Sequence, residues 1–429
     1  MKKTILLLIS LALCLSACSN NNSQNIEVET NENIVEEETT NQTNYLSEDD
    51  IQISETIENN EDGAHAIVAD NEELSYSNIL VNKTGESSGD EADFYGENAA
   101  IFATNAATLN LDNIVVKTDG THANGVFSYG ENTVVNISNS VIETSGNCSG
   151  GIMTTGNGTM NASNLTIHTT GNSSAAIRSD RGGGTVVVNG GSYTTDGKGS
   201  PVIYSTADIT VNNSLMTSTS SQGVVVEGKN SVTLNDVTLV AENISKNSDK
   251  SDYYQAIMIY QSMSGDADEG EAYFTMSGGS LTNLNGDIFF VNNTVAKISL
   301  SDVAITNEDE EGILLRAQTA GWGNQGSNGG KVYLYLDEET VKGDIYVDEV
   351  SGLNMYIDNN STYTGSIQNE NDVYVSITNG SKWILTADSY VSSLTCDVDS
   401  IDLNGFNLYV DGVAYTQNTQ STGQEVSFS

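Results

Sequence analysis

Along the body of the chain one row of residues keeps returning. A short apolar-polar alternation leads to an apolar residue, a small polar residue and a turn residue, and a second alternation follows. The turn position holds Asn78, Asn113, Asn139, Asn164, Gly190, Asn213, Asp236, Gly278, Asp302, Glu338, Asn359 and Asn379. The spacing is nearly even, apart from three longer gaps that end at Asn113, Gly278 and Glu338. It reads as a base period carrying insertions, the signature of a repeat architecture. Eleven of the twelve are Asn, Gly or Asp, the types that enter the left-handed α region at least cost. Just before them stand Ser77, Asp112, Ser138, Ser163, Asn189 and Asn212, whose side chains can bond the backbone of a tight corner.

Three short strands per period and one left-handed corner describe an all-β fold, a single-stranded right-handed parallel β-helix of about 12 coils. Strands then pair between coils, giving a rod of roughly 55–60 Å. A β-sandwich would not keep the period. Both ends of such a solenoid expose unpaired edges and require covers. Trp383 and Tyr390 are expected over the last interior column, in a cap from about residue 381 that closes with residues 401–413. Residues 45–60, with Tyr45, Leu46, Ile51, Ile53 and Ile57, are expected to cover the other end.

Two adjacent apolar rows run through the coils. One holds Val126, Ile152, Ala176, Val202, Val224, Ile257, Ile288 and Ile313; the next holds Phe127, Met153, Ile177, Ile203, Val225, Met258, Phe289 and Leu314. Neighbours cannot both face inward on a flat strand, and the bulkier second row is assigned to the core. The outward row beside it reads Ser128, Thr154, Arg178, Tyr204, Val226, Ile259, Phe290 and Leu315.

Before this body lies a processing segment, residues 1–18. Lys2 and Lys3 precede a short apolar run from Ile5 to Leu15, and Leu15-Ser16-Ala17-Cys18 matches a lipobox. The Cys18 thiol would accept the lipid, and more than one acyl chain anchors stably. The expected location is extracytoplasmic, surface-exposed and tied to the cell membrane through Cys18. Residues 19–62 carry 13 acidic residues and no Lys or Arg. Residues 19–44 read as a disordered acidic tether and 45–429 as the β-helix. Over the whole chain 58 Asp and Glu face 15 Lys and Arg, a formal charge of −43. That excludes nucleic acid as a partner, because phosphate binding needs Lys/Arg clusters. Cys148 and Cys396 lie many coils apart in the chain, and no disulfide between them is expected.

Three stretches carry a family resemblance: 93–96 (Asp-Phe-Tyr-Gly), 175–184 (Ala-Ala-Ile-Arg-Ser-Asp-Arg-Gly-Gly-Gly) and 258–270 (Met-Ile-Tyr-Gln-Ser-Met-Ser-Gly-Asp-Ala-Asp-Glu-Gly). With them the chain resembles the β-helical, adhesin-like surface lipoproteins of anaerobic Gram-positive bacteria, within the pectate-lyase-like superfamily. Residues 383–386, 388–390 and 403–406 resemble the end coils of such proteins. The resemblance implies the fold; the superfamily hosts lyases, hydrolases and non-enzymatic adhesins, so it leaves activity open.

The chemistry is sparse. A lyase of this fold needs grouped carboxylates for Ca²⁺ and a base, but the outward row offers Arg178 alone, with Asp180 as its nearest ion-pair partner. Asp266, Asp268, Glu269 and Glu271 share one Gly-flanked loop. This loop reads either as solvated or as a weak Ca²⁺ site; no other cofactor is implied. Neither a Ser/His/Asp order nor a Cys/His pair stands out for nucleophilic catalysis, and no transition-metal spacing is evident. Aromatic residues concentrate near the two largest insertions, where they either plug loops onto the rod or stack on sugar rings. Residues 262–271 and 317–330 follow equivalent strands two coils apart, with only Asn292-Asn293-Thr294 between them. Two loops about 10 Å apart over a low floor make a cleft. Asp266, Asp268 and Glu269 would form one wall, Trp322, Asn324 and Gln325 the other, beside an outward Ile259 and Phe290. A glycan-binding or adhesin-like module is the favoured function; a polysaccharide lyase or glycoside hydrolase is the alternative.

Overall fold

A computed structural model describes residues 45–246, 248–369 and 372–428. The lipobox Cys18 and the tether 19–44 lie outside the described residues. All twelve corner residues named above have positive φ, from 47° at Asn139 to 72° at Gly190. Corner amides also bond from coil to coil: Asn164 Nδ2 donates to Asn139 Oδ1 at 2.9 Å, and Asn379 Nδ2 to Asp358 Oδ1 at 2.7 Å. Asn thus supplies both the rare backbone conformation and a side-chain ladder along the solenoid.

The strands stack in parallel between coils, as a parallel β-helix requires. One twelve-stranded sheet runs in order from Ile67–Asp70 to Ile367–Asn369. A second, twenty-stranded sheet joins the two remaining faces. They merge because Val134–Thr144, Gly158–Thr169 and Gly184–Thr195 run unbroken through the corners at Asn139, Asn164 and Gly190. In later coils the third face passes to a four-stranded sheet from Thr340–Lys342 to Ile401–Asp402. One continuous core fills the interior.

The inward row of the twelve-stranded sheet differs from the expected one. Register puts Ile101, Val126, Ile152, Ile177, Ile203, Val224, Ile257, Phe289, Leu315 and Ile345 in one column, and all of them belong to the core. Phe127 and Met153 point outward instead, where Ala99, Phe102 and Tyr129 bury them. The expected rows slip by one residue between Met153 and Ile177, since Met153 pairs with Arg178. Bulk misled the assignment because the outer face is itself covered. Ile259 and Val226 face the core, and Arg316, not Leu315, occupies the outward row.

The ends match the expected covers only in part. Trp383 is fully buried inside the wall, in register between Tyr363 and Ile401, and its Nε1 donates to Gly365 O at 2.9 Å. Parallel coiling therefore continues past residue 381. Tyr390 is 42% exposed and stacks on Tyr409 outside the core. An antiparallel pair, Tyr409 with Ala414 and Val410 with Val413, follows the last coil. At the other end Ile57 packs against the core as expected, whereas Ile51 packs on Val115 and Val141, along the flank of the solenoid.

Candidate functional site

Side chains on the outer face of the twelve-stranded sheet include Arg178, Tyr204, Val225, Met258, Phe290 and Arg316 in successive coils. An apolar strip of Val225, Met258 and Phe290 in contact with water would be unfavourable at about 25 cal/mol per Å². Tyr204, Tyr253, Tyr260, Ala320 and Trp322 close over it. The cover is tied down: Gly321 N donates to Lys250 O at 2.6 Å, and Asn328 Nδ2 donates to both Ala320 O and Trp322 O at 2.7 Å. The cover leaves a cavity of about 190 Å³. Its floor is Val225 and Met258, its walls are Tyr204, Tyr253, Tyr260 and Trp322, and Gln222 and Gln255 supply polar groups. Buried Gln255 Oε1 has no hydrogen-bond partner among the described residues.

Beside it lies a cleft of about 680 Å³ between the loops 262–271 and 317–330, floored by Asn293, Thr294 and Val295. This is the geometry that the insertion pattern implies. Glu269, Glu271, Lys250, Ser262, Asn324 and Lys331 are among its lining residues. Gly323, at φ +76°, presses against the floor; a Cβ there would lie 2.3 Å from Asn293 Oδ1. Trp322 divides the two spaces: its ring lines the cavity, while Gly321 and Gly323 line the cleft. Tyr260 meets Trp322 edge to face at 5.2 Å, and Lys250 Nζ stands 5.8 Å from the indole.

The residues expected to form this site divide. Glu269 and Asn324 line the cleft and Trp322 lines the adjoining cavity. Asp266 turns to Arg181, 3.0 Å away, and Asp268 pairs with Lys229 at 2.8 Å. Gln325 is exposed outside the lining. Phe290 is buried beneath the cover, and Ile259 lies in the core on the opposite side of the sheet.

Carboxylates gather on this face after all, supplied by residues at the strand ends. Arg178 Nη2 lies 2.9 Å from Asp180 Oδ2; the partners are those expected from sequence, but the pair is largely buried where a surface pair was expected. Desolvation outweighs Arg178 and pushes the Asp180 carboxyl up to about 6. Buried Glu227 accepts hydrogen bonds from Tyr204, Tyr260 (2.9 Å) and Ser262 hydroxyls. Arg181 joins Asp266 to Asp90 and lies 3.6 Å above the Phe94 ring. Arg316 is held by Asp287 and stacks on Tyr253 at 3.9 Å. Asp180, Glu227 and Asp287 thus serve internal ion pairs and hydrogen bonds. The polar and aromatic groups turned to the two spaces are amides, hydroxyls, aromatic rings, Lys246, Lys250, Lys331, Glu269 and Glu271.

Tyr204, Gln255 and Lys250 did not emerge as site residues from sequence, whereas Tyr253 belongs to the aromatic group at the insertions. A signal was available for Tyr204: it stands one repeat period after Arg178 and pairs with it in the sheet. No family model, curated protein or solved structure matches this chain.

Proposed function

We propose that this chain is a lipid-anchored surface β-helix that binds extracellular or cell-wall glycan where Trp322 divides the aromatic cavity from the polar cleft. The observation that carries the reading is that juxtaposition. Sugar rings have apolar C–H faces that stack on flat aromatics, and hydroxyls that bond to amides and carboxylates. Four aromatic walls and a Gln255 oxygen unpartnered among the described residues stand next to a cleft lined by Asn324, Ser262 and Glu269. A glycan array probed with the protein, followed by titration of each hit against Trp322→Ala, tests the site. Reducing-end and unsaturated-product assays on the same hits test the cleavage reading. Binding is favoured over cleavage because Asp180 and Glu227 are committed to Arg178 and to tyrosine hydroxyls. For the anchor, an acyl probe should label the wild type and not Cys18→Ala.

A further inference from the structure

At the corner that leads into the same sheet, about three coils before the aromatic cavity, a second group of side chains converges. His122 and Cys148 occupy equivalent corner positions in consecutive coils, donating their backbone N–H to Asn147 O (2.9 Å) and Asn172 O (2.8 Å). Both have left-handed backbones, at φ 58° and 56°. The next two coils place Ser173 and Gly199 there, at 55° and 63°. Gly or Asn would meet that conformation at least cost. A Cys and a His in successive coils instead are local costs of the kind that points to a use.

Asp93 completes the group from the short helix Asp90–Phe94, which Arg181 holds down through Asp90 and the Phe94 ring. Asp93 Oδ1 lies 2.9 Å from His122 Nδ1, outside hydrogen-bond geometry, so that this buried nitrogen has no hydrogen-bond partner among the described residues. One ligand atom each from Asp93, His122 and Cys148 lies within 4.8 Å of the other two. Asp93 keeps a third of its side chain exposed and Cys148 is half-buried, which leaves a path for an ion to enter.

We propose that Asp93, His122 and Cys148 bind one Zn²⁺, with a fourth coordination position open. A sulfur, an imidazole nitrogen and a carboxylate oxygen are the Zn²⁺ donor set, and the sulfur selects against Ca²⁺ and Mg²⁺. Donors on a tetrahedral Zn²⁺ with bonds of roughly 2.0–2.3 Å stand about 3.3–3.7 Å apart, so the Asp93–His122 pair, at 2.9 Å, would part slightly and Cys148, within 4.8 Å, would close by at most about 1.5 Å. Binding releases the Cys148 thiol proton to solvent and leaves the two carboxylate and thiolate charges balanced by the ion. Arg178, which interacts electrostatically with His122 and Cys148, has its own charge met by Asp180, while its Nη1 has no hydrogen-bond partner among the described residues; it is a donor for a water or anion in the fourth position.

The test is titration of the full chain, stripped with chelator, with Zn²⁺ in competition with a chromophoric chelator, and with Co²⁺ read by absorption. One equivalent should bind, and Co²⁺ should give a thiolate charge-transfer band. Zn²⁺ should also slow alkylation of Cys148. Cys148→Ser copies Ser173 in the next coil and His122→Asn suits the left-handed corner, so both should fold; Asp93→Asn on the surface helix is a third, milder variant. Each should weaken Zn²⁺ roughly tenfold or more, and Cys148→Ser should abolish the charge-transfer band, whereas Cys396→Ser should change nothing. Wild-type affinity in all three ligand variants, or alkylation of Cys148 that Zn²⁺ leaves unchanged, would overturn the assignment.

Discussion

Arg316 reaches across one coil to Asp287, its Nε 2.7 Å from Oδ2 and its Nη2 3.2 Å from Oδ1. Both side chains are at most 8% exposed. Burial outweighs the guanidinium and pushes the Asp287 carboxyl up to about 6. The fold thus holds this proton more tightly than the unfolded chain does. Between roughly pH 4 and 6 the native state carries more of it, so this group's contribution to stability falls as pH rises through that window. Removing the arginine leaves a buried carboxylate alone at neutral pH. Arg316→Met should destabilise by about 3–5 kcal/mol at pH 7.5, and by less at pH 5, where Asp287 is protonated. Adding Asp287→Asn should recover part of the loss. Urea unfolding of the three proteins at the two pH values measures it; an equal loss at both would show that the Asp287 charge is not the cause.

Glu338 holds a left-handed corner, φ 51°, that Asn, Gly or Asp occupies in the other eleven coils of the row. Its side chain is exposed. Left-handed backbone costs an ordinary L-residue about 1–2 kcal/mol, and Asn recovers part of that. Glu338→Asn should therefore raise stability by about 0.5–1 kcal/mol, seen as a higher urea midpoint with an unchanged slope. The reverse test is Gly278→Ala, where φ is 66° and a Cβ would come 2.3 Å from Asp236 Oδ1; it should be clearly destabilising.

The corners were legible in the sequence because a left-handed backbone restricts the residue types strongly enough to mark every coil. The facing of the strands was not. Phe127 and Met153 are apolar for the sake of the outer cover, and Ile177 is apolar for the core, so hydrophobicity alone could not fix the register. Cleft position followed from insertion lengths, and the structure places both loops around Asn293 as the counting implied. The partners of its acids did not follow, because Arg181 meets Asp266 across 85 residues. His122 and Cys148 stand one coil apart; reading the chain for motifs of adjacent residues could not pair them, whereas reading it at the repeat period would have.

Register places Ile259 and Ile177 in the core and forecasts a core-sized cost for truncating either. Ile259 is fully buried in the core, so Ile259→Ala should cost about 2–5 kcal/mol. Arg178, one position on from core Ile177, faces outward, and Ile177→Ala should cost a similar amount while leaving the Arg178–Asp180 pair in place. Chemical denaturation of the two alanine variants checks both, and a near-neutral Ile259→Ala would return that residue to the outer face.

After the last coil the chain turns back along the outside of the sheet. Ser421 bridges Cys396, Gln424 N donates to Ser393 Oγ at 2.9 Å, and Phe428 meets Tyr333 edge to face at 5.0 Å. Buried Asn354 fastens this strap: it donates to Val426 O and accepts from Val426 N, both at 3.0 Å. Asn354→Ala removes both bonds at once, at a cost of about 1–3 kcal/mol if the strap stays down. If it lifts instead, global stability changes less and the Val426 amide should exchange with solvent much faster. Hydrogen exchange at residues 421–428 distinguishes the two, and unchanged protection there with unchanged stability would remove Asn354 from this role.

Trp322 carries the proposed glycan site and part of the cover over Phe290, so its replacement has two separable consequences. Its ring is half-buried, meeting Tyr260 at 5.2 Å with Lys250 5.8 Å away. Trp322→Ala should open the 190 Å³ cavity toward the cleft and remove one stacking face. The stability loss should be below the roughly 3–5 kcal/mol of a fully buried aromatic, because the loop remains fixed by Asn328. Trp322→Phe keeps a flat ring and should retain part of any glycan affinity that Trp322→Ala loses. Asn324→Ala removes a polar group from the cleft without touching the cover, so it should weaken binding and leave melting unchanged. Glycan titration and thermal melting of the three variants give a two-way readout. Affinity lost by Trp322→Ala, partly kept by Trp322→Phe and reduced by Asn324→Ala is the pattern of a ring-stacking site. Lower melting with unaltered binding would make Trp322 a plug for the loop and nothing more.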